Sequence, residues 1–342
     1  MIQIADLFPV VLVAVSAALL SGPFLIRLAR RIGLMDQPGS QPHKWHSDPT
    51  PMAGGAILAV AILASTLTVA PAPDRTVLGI LLAGGVVFLW GLWDDKKPLP
   101  AWLKLLGQLL AAVILWRSGV MVRILPNEGV NVFVTFFWAI GIVNAFNFVD
   151  SMDGLALGLA AIASAFFVLV TIDAQQPQLA FLSVAVLGAT IGTFFFNAAP
   201  AKTFIGDSGS QLLGILLAGI GVAYNPVGLQ PTVSWFMPIL VLGVPIFNMT
   251  LVVSSRVIRR LRVYQAHKDH ISHRLVHLGL DRTRTVLSIQ ITAIILGLVA
   301  FIALGGTPLT ANLVYGAVVL CGVIAIAVLE KAYPREAPSG AP

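Results

Sequence analysis

Long apolar runs follow one another along almost the whole chain, separated by short polar breaks. They lie near residues 7–29, 52–71, 76–93, 101–117, 132–149, 154–172, 179–197, 209–224, 233–254, 286–305 and 309–329. A membrane-crossing helix needs about 20 mostly apolar residues. The pattern therefore predicts an all-α polytopic protein with about eleven transmembrane helices, the weakest hydrophobic signal being at 209–224. The amino terminus lacks the basic start of a cleavable signal, so 7–29 reads as a true span. Two small-xxx-small pairs, GLALG (Gly154 to Gly158) and GATIG (Gly188 to Gly192), predict close helix packing rather than nucleotide loops. No solenoid period is visible. The expected organisation is one transmembrane catalytic domain over 1–330 and a short flexible cytoplasmic tail at 331–342.

Composition agrees. The 342 residues are 57% hydrophobic and 11% charged, against about 25% charged in soluble domains. The 31 glycines and 21 prolines fit a helical membrane bundle. The single Cys321 lies in the last apolar run as a small hydrophobe and says nothing of redox compartment.

Charge then orients the bundle. If the spans alternate, Arg75, Arg117 and Arg123 fall on one side, leaving 18 of the 21 Lys and Arg on the other. Basic residues accumulate in cytoplasmic loops, so the expected topology is amino terminus out and carboxyl terminus in. All six histidines and the acids Asp94, Asp95, Asp150, Asp153 and Asp207 fall on that cytoplasmic side. Chemistry at the inner membrane surface would need such a concentration.

WDDKKPLP ends the third run with Asp94 beside Asp95. Neighbours on a helix point about 100° apart, so both serve one small pocket only if the helix end distorts. A solvated helix end, offset by Lys96 and Lys97, is the plain alternative. NAFNFVDSMDGLA places Asn144, Asn147, Asp150 and Asp153 on one i, i+3 ridge. The ridge drifts around a straight helix, so the four converge only if the backbone opens near Gly154. Carboxylate and amide oxygens suit Mg²⁺, which takes one or two carboxylates plus substrate phosphates. A polar hinge between spans is the alternative, set against the cost of unpaired acids at membrane depth.

AKTFIGDSGSQLLG puts Asp207 at a helix start, where Ser208 or Asp207 can cap and free N–H groups favour an anion. Gly206 and Gly209 would let a phosphate approach the backbone. Phe204 reads as a ring for a base or as an interface aromatic. RVYQAHKDHISHRLVHLGLDRTRT carries His267, His270, His273 and His277 at helical spacing, with Arg274 among them. It reads as a phosphate clamp or as a basic loop near anionic lipid. A zinc site is disfavoured, because cysteine and an HExxH arrangement are both missing there. HKWHSDPTPMAGG adds Lys44 and Thr50 before a glycine pair, as substrate contacts or as a simple turn.

At these residues the sequence resembles the polyprenyl-phosphate N-acetylhexosamine-1-phosphate transferases, glycosyltransferase family 4. WDD at 93–95, NAFNFVDSMDGLA at 144–156, FIGDSGS at 204–210 and HISHRL at 270–275 carry the resemblance, with PTPMAGG at 49–55 in support. It implies transfer of N-acetylhexosamine-1-phosphate, above all GlcNAc-1-phosphate, from a UDP-sugar to an undecaprenyl-type phosphate, releasing UMP and starting a cell-envelope glycan. It implies Mg²⁺, with Mn²⁺ as a substitute, bound by Asp207 and Asn147. Asp94 would stand near the lipid phosphate as base with Asp95 supporting it, and Asp150 and Asp153 would line the nucleotide site. Phe204 would stack on uracil, and His270, His273 and Arg274 would contact the pyrophosphate. Asn144, Lys44 and Thr50 complete the expected substrate contacts. The expected setting is a multi-pass protein of a bacterial inner membrane, meeting its lipid substrate there, with a homodimer as its assembly and no nucleic-acid partner.

Two positions depart from the family pattern: Ser151 stands where a glycine is common, and Ser272 where a middle histidine is common. The related phospho-N-acetylmuramoyl-pentapeptide transferases usually carry a run of adjacent histidines. This loop lacks that run, which favours a UDP-N-acetylhexosamine donor. A cation-coupled transporter is the rival from another class, but its acids should lie near the bilayer midplane. A lipid-binding scaffold would explain the basic loop and leave the Asn/Asp ridge without a purpose.

Overall fold

The computed structural model describes residues 3–38, 48–226, 231–262 and 267–333. All eleven apolar runs are helical. They form α1 (Ile4–Arg31), α2 (Gly54–Thr68), α3 (Arg75–Lys96), α4 (Ala101–Arg117), α5 (Glu128–Val149), α6 (Leu155–Asp173), α7 (Pro177–Asn197) and α8 (Gly206–Ala223). The chain continues through α9 (Pro231–Ser234), α10 (Met237–Val241), α11 (Gly243–Ile258), α12 (Ile271–His277), α13 (Arg282–Leu304) and α14 (Pro308–Ala332).

Seven of these, α1, α3, α5, α6, α7, α13 and α14, are long and apolar enough to cross a membrane. The protein is thus an all-α, multi-pass membrane protein, with fewer full-length spans than the eleven expected. The 15-residue α2 rises only about 22 Å, short of a ~30 Å hydrocarbon core. The run at 233–254 is broken into α9, α10 and α11. Pro238 opens α10 and Pro245 lies in the first turn of α11, where a missing N–H does least harm. The one strand pair among the described residues is antiparallel, β1 (Met35–Asp36) on β2 (Thr50–Pro51), with Asp36 opposite Thr50.

The weakest hydrophobic signal belongs to the most enclosed helix. α8 is buried without a break from Ser208 to Gly221 and packs against α2, α3, α5 and α6. Surrounded by protein, it tolerates Ser208, Ser210 and Gln211 that a lipid-facing helix would not. GATIG does pack: a Cβ on Gly188 would lie 2.7 Å from the Cβ of Ala14 on α1. GLALG divides its roles. Gly158 abuts Gln290 of α13, whereas Gly154 is the left-handed turn residue before α6, with φ 72°.

Hydrogen bonds sort the loops into two groups. At one end, Gln178 Nε2 donates to Ala72 O (3.2 Å), Arg75 Nη2 to Arg117 O (2.6 Å) and Gln176 Nε2 to Ala223 O (3.0 Å). At the other, Phe204 N–H donates to Pro51 O (3.0 Å), Ala201 N–H to Asp153 Oδ2 (3.0 Å) and Ile271 N–H to Asn248 Oδ1 (3.0 Å). The second end gathers the motif-bearing loops. In a Cys321→Ser background, cysteines placed at Gln178 and Lys202 should react with a membrane-impermeant maleimide from opposite faces of sealed vesicles. Labelling of both from the same face would contradict this arrangement.

Candidate active site

The start of α8 rests on the end of α3. Asp95 accepts hydrogen bonds from Asp207 N–H (2.7 Å), Ser208 N–H (3.1 Å) and Ser208 Oγ (2.6 Å). The N-terminus of a helix attracts an anion through its dipole and its unpaired N–H groups. Here the anion is the protein's own carboxylate, so the cap expected from Ser208 or Asp207 comes from α3 instead. Two glycines make the approach possible. A Cβ on Gly91 would lie 2.6 Å from Ser208 Cα, and Gly206, with φ +66°, would place one 2.6 Å from Asp95 Oδ2. The expectation that Gly206 and Gly209 admit a phosphate is corrected: Gly206 admits Asp95, and Gly209 packs on Gly55, where a Cβ would lie 3.0 Å from Gly55 Cα.

Asp94 faces the same place from the other side. Its Oδ1 accepts from Leu99 N–H (2.6 Å) and its Oδ2 pairs with Lys104. Lys104 Nζ also donates to Asp207 Oδ2 (2.8 Å), so one ammonium bridges two carboxylates. Asp94 and Asp95 thus meet one site without distortion of α3, which stays helical through Lys96. A helix start is broad: Asp95 takes its backbone while Asp94 reaches its side chain through Lys104. The lysine was missed at the sequence level, although it is the one charge inside the run 101–117 before the closing Arg117, which itself marks a functional candidate. The Trp90 indole fixes the start of α4 by donating to Leu103 O (2.9 Å).

The Asn/Asp ridge disperses rather than converging. Asn144 forms a reciprocal amide pair with buried Gln108, Nδ2 to Oε1 at 2.8 Å and Nε2 to Oδ1 at 3.3 Å, which ties α5 to α4. The structure thus shows Asn144 in a helix–helix link. Asn147 Nδ2 donates to Asp207 Oδ1 (2.8 Å) and to Ser210 Oγ (3.1 Å). Asp150 ends α5, so the backbone opens four residues before Gly154. Removal from water, and then the charges of Asp207, Asp95, Asp153 and Asp36, hold the Asp150 carboxyl well above the usual carboxylate range. Asp36, opposite Thr50 on the small strand pair, is an acid of this end that motif spacing did not single out. Asp153 serves the loop after α7 through Ala201, and Asn197 stitches the same region, accepting from Gly154 N–H (3.0 Å) and donating to Thr203 O (2.9 Å).

Thr50 is buried and its hydroxyl donates to Asp48 O (3.1 Å). Phe204 is half-buried, and its backbone holds Pro51 and Gly54. Lys44 lies outside the described residues.

The histidine segment docks on this end of the bundle. His270 precedes α12, its ring edge-on to Phe148 at 5.9 Å and 5.7 Å from the ring of His273. Both histidines are buried. Arg274 has a different place from the one expected. It is 1% exposed, donates to Asp269 O (2.9 Å) and Leu329 O (3.0 Å), and pairs with Glu330 of α14 (2.9 Å). In this arrangement it braces α12 against α14 instead of reaching a pyrophosphate. Arg256 grips Asp269 through two bonds of 2.7 and 2.9 Å. Burial pushes the Asp269 carboxyl up, but the Arg256 bonds and charge outweigh it and hold it below the usual range. Access separates the two charge clusters. The side chains of Lys104 and Asp207 are 34% and 26% exposed, whereas those of Arg256 and Asp269 are 3% and 7% exposed.

Comparison with known proteins points the same way. Residues 77–225 match the model of glycosyl transferase family 4. The chain is 30% identical over 319 residues to a probable undecaprenyl-phosphate N-acetylglucosaminyl 1-phosphate transferase of Bacillus subtilis, covering 90% of this chain and 87% of that protein. It is 30% identical over 357 residues to a decaprenyl-phosphate N-acetylglucosaminephosphotransferase of Mycobacterium tuberculosis, covering 91% and 87%. A phospho-N-acetylmuramoyl-pentapeptide-transferase of Lactiplantibacillus plantarum is 33% identical over 228 residues, covering 58% and 70%.

Removing one partner of a buried ion pair costs roughly 3–5 kcal/mol. Glu330→Ala, which strands Arg274, should therefore lower the melting temperature in detergent by several degrees, while Arg284→Ala in an exposed pair should not. Asp269 should behave as a carboxylate with a depressed folded pKa. Its contribution to stability is present above the unfolded value of about 4 and is lost as pH falls through its folded value. Melting curves of wild type and Asp269→Asn should separate at neutral pH and approach one another in acid.

Proposed function

The chain belongs to the polyprenyl-phosphate N-acetylhexosamine-1-phosphate transferases of glycosyl transferase family 4, and from that premise we propose that it transfers GlcNAc-1-phosphate from UDP-GlcNAc to a polyprenyl phosphate. An oxygen of the lipid phosphate attacks the sugar-bearing phosphorus. The bond from that phosphorus to the bridging oxygen breaks, and UMP leaves with the electron pair. The product is a polyprenyl-diphosphate sugar, the first lipid-linked unit of a cell-envelope glycan, and the site faces the cytoplasm of a bacterial inner membrane. The observation that carries the reading is the convergence of Asp94, Asp95, Lys104 and Asn147 on Asp207 at the end of the bundle where the motif-bearing loops meet. The GlcNAc-phosphotransferase relatives cover 90% and 91% of this chain, against 58% for the muramoyl-pentapeptide relative, which supports the smaller donor.

Magnesium fits the residues present. Asp207 offers carboxylate oxygens, Asn147 an amide oxygen once its side chain turns over, and Lys104 already places a positive charge between Asp94 and Asp207. No group of three or more His, Cys, Asp or Glu among the described residues forms a cage. That suits an ion sharing its coordination with substrate phosphates. Bound there, Mg²⁺ supplies charge neutralisation at the diphosphate; Mn²⁺ has the same oxygen preference.

The chain's own residues do the positioning. Lys104, on the turn of α4 that Trp90 anchors through Leu103 O, presents an ammonium where charge gathers on the phosphates. Asp95 fixes the start of α8 and so the aim of Asp207. Asp94 orients Lys104 beside the lipid phosphate, and a phosphate nucleophile, mostly ionised near neutral pH, asks little of it as a base. Asp150, Asp153 and half-buried Phe204 border the nucleotide side, and His270 and His273, at the start of α12, close it.

Purified protein given UDP-GlcNAc, polyprenyl phosphate and Mg²⁺ should release UMP, and Asp207→Asn should lose at least about 100-fold in turnover, the scale of removing one preorganised charge. Lys104→Met should lose a comparable amount. Absence of UMP release with every UDP-amino sugar would refute the activity, and full activity of Asp207→Asn would refute the assignment of that residue.

A further inference from the structure

Two hydroxyls join the two halves of the site. Ser151 sits in the turn that carries Asp150 and Asp153, and Ser272 sits on α12 next to His273. Their Oγ atoms lie 2.7 Å apart across 121 positions of sequence. Ser272 is fully buried. Both stand at motif positions where the resembled family commonly has another residue, and they touch one another.

Resting on the transferase reading above, we propose that Ser151 and Ser272 are a positioning pair that seats the histidine helix on the acid turn and thereby sets the gap holding the donor's diphosphate. Two other ties of α12 lead elsewhere. Ile271 N–H donates to Asn248 on α11, and Arg274 pairs with Glu330 on α14. Those bonds place α12 relative to its own neighbours, whereas the serine bond places it relative to Asp150 and Asp153. The edge contact of His270 on Phe148 backs the same junction with apolar surface. A hydroxyl pair suits the spot, because each oxygen donates and accepts and neither adds charge beside the carboxylates. Ser272 Oγ also lies 3.5 Å from His273 Nδ1. That distance is long for a hydrogen bond, so the bond between the serines carries the inference.

The test is a double-mutant cycle on the full-length protein. Ser151→Ala and Ser272→Ala should each raise the KM for UDP-GlcNAc by roughly 3- to 10-fold, the scale of one buried hydrogen bond. The double variant should do no worse than the poorer single, and the KM for polyprenyl phosphate should hold. Ser151→Thr, which keeps the hydroxyl, should retain a KM near wild type. Independent multiplying effects, or a fall in kcat at unchanged KM that tracks a lower melting temperature, would overturn the pair as a positioning element. In a Cys321→Ser background, oxidised Ser151→Cys/Ser272→Cys protein should form an internal disulfide. That readout does not depend on turnover, so failure to cross-link sinks the pair while failure of UMP release in wild type sinks the transferase reading.

Discussion

A carboxylate at the edge of a bilayer needs a partner, and at the start of α8 four helices supply partners to one another. Asp95 on α3 neutralises the N-terminus of α8, and that contact places Asp207. Lys104 on α4 spans Asp207 and Asp94, and Asn147 on α5 takes the remaining Asp207 oxygen. Each group is satisfied only while the others are in place, which is the condition for a stable polar network in a low-dielectric setting. The apolar helices can pack in many ways, but few of those bring four polar side chains onto one helix start. The network therefore selects the arrangement and leaves behind a polar site partly open to water.

Two charge clusters of different character share this end of the molecule. Around Arg256, Asp269, Arg274 and Glu330 the charges are closed off, and they bind the ends of α11, α12 and α14 together. Around Lys104 and Asp207 they remain accessible. Buried pairs serve rigidity and accessible ones can exchange partners, so the first cluster holds the histidine helix while the second is the one to which the proposed transfer assigns phosphates and a divalent ion. A transporter would be expected to place such acids near mid-membrane; here they meet at helix ends beside loops 51–55 and 198–205.

The helices were legible because a run of apolar residues long enough to cross a bilayer has few other fates. Their ends and breaks were less so, since Pro238 and Pro245 interrupt a run whose hydrophobicity continues unbroken. Motif spacing identified Asp94, Asp95, Asn147 and Asp207, but not the partner each would find. An i, i+3 ridge describes neighbours on one helix, whereas Asn144 found Gln108 and Asp153 found Ala201 across helices. The free helix start expected near Ser208 was filled by an acid 113 positions away. Arg274 looked like a phosphate ligand because its partner Glu330 lies just past the last apolar run, far along the sequence. Lys104 could have been found, as an isolated charge inside an apolar span.

Iron-directed cleavage would probe the central claim most directly. Fe²⁺, taking the place of Mg²⁺ in purified protein with UDP-GlcNAc present, generates short-lived radicals on addition of ascorbate and peroxide that cut only nearby backbone. The account predicts cuts clustered near 94–95, 147–150 and 207, suppressed by excess Mg²⁺. Cuts confined to the opposite ends of these helices, or a pattern that excess Mg²⁺ leaves unchanged, would contradict it.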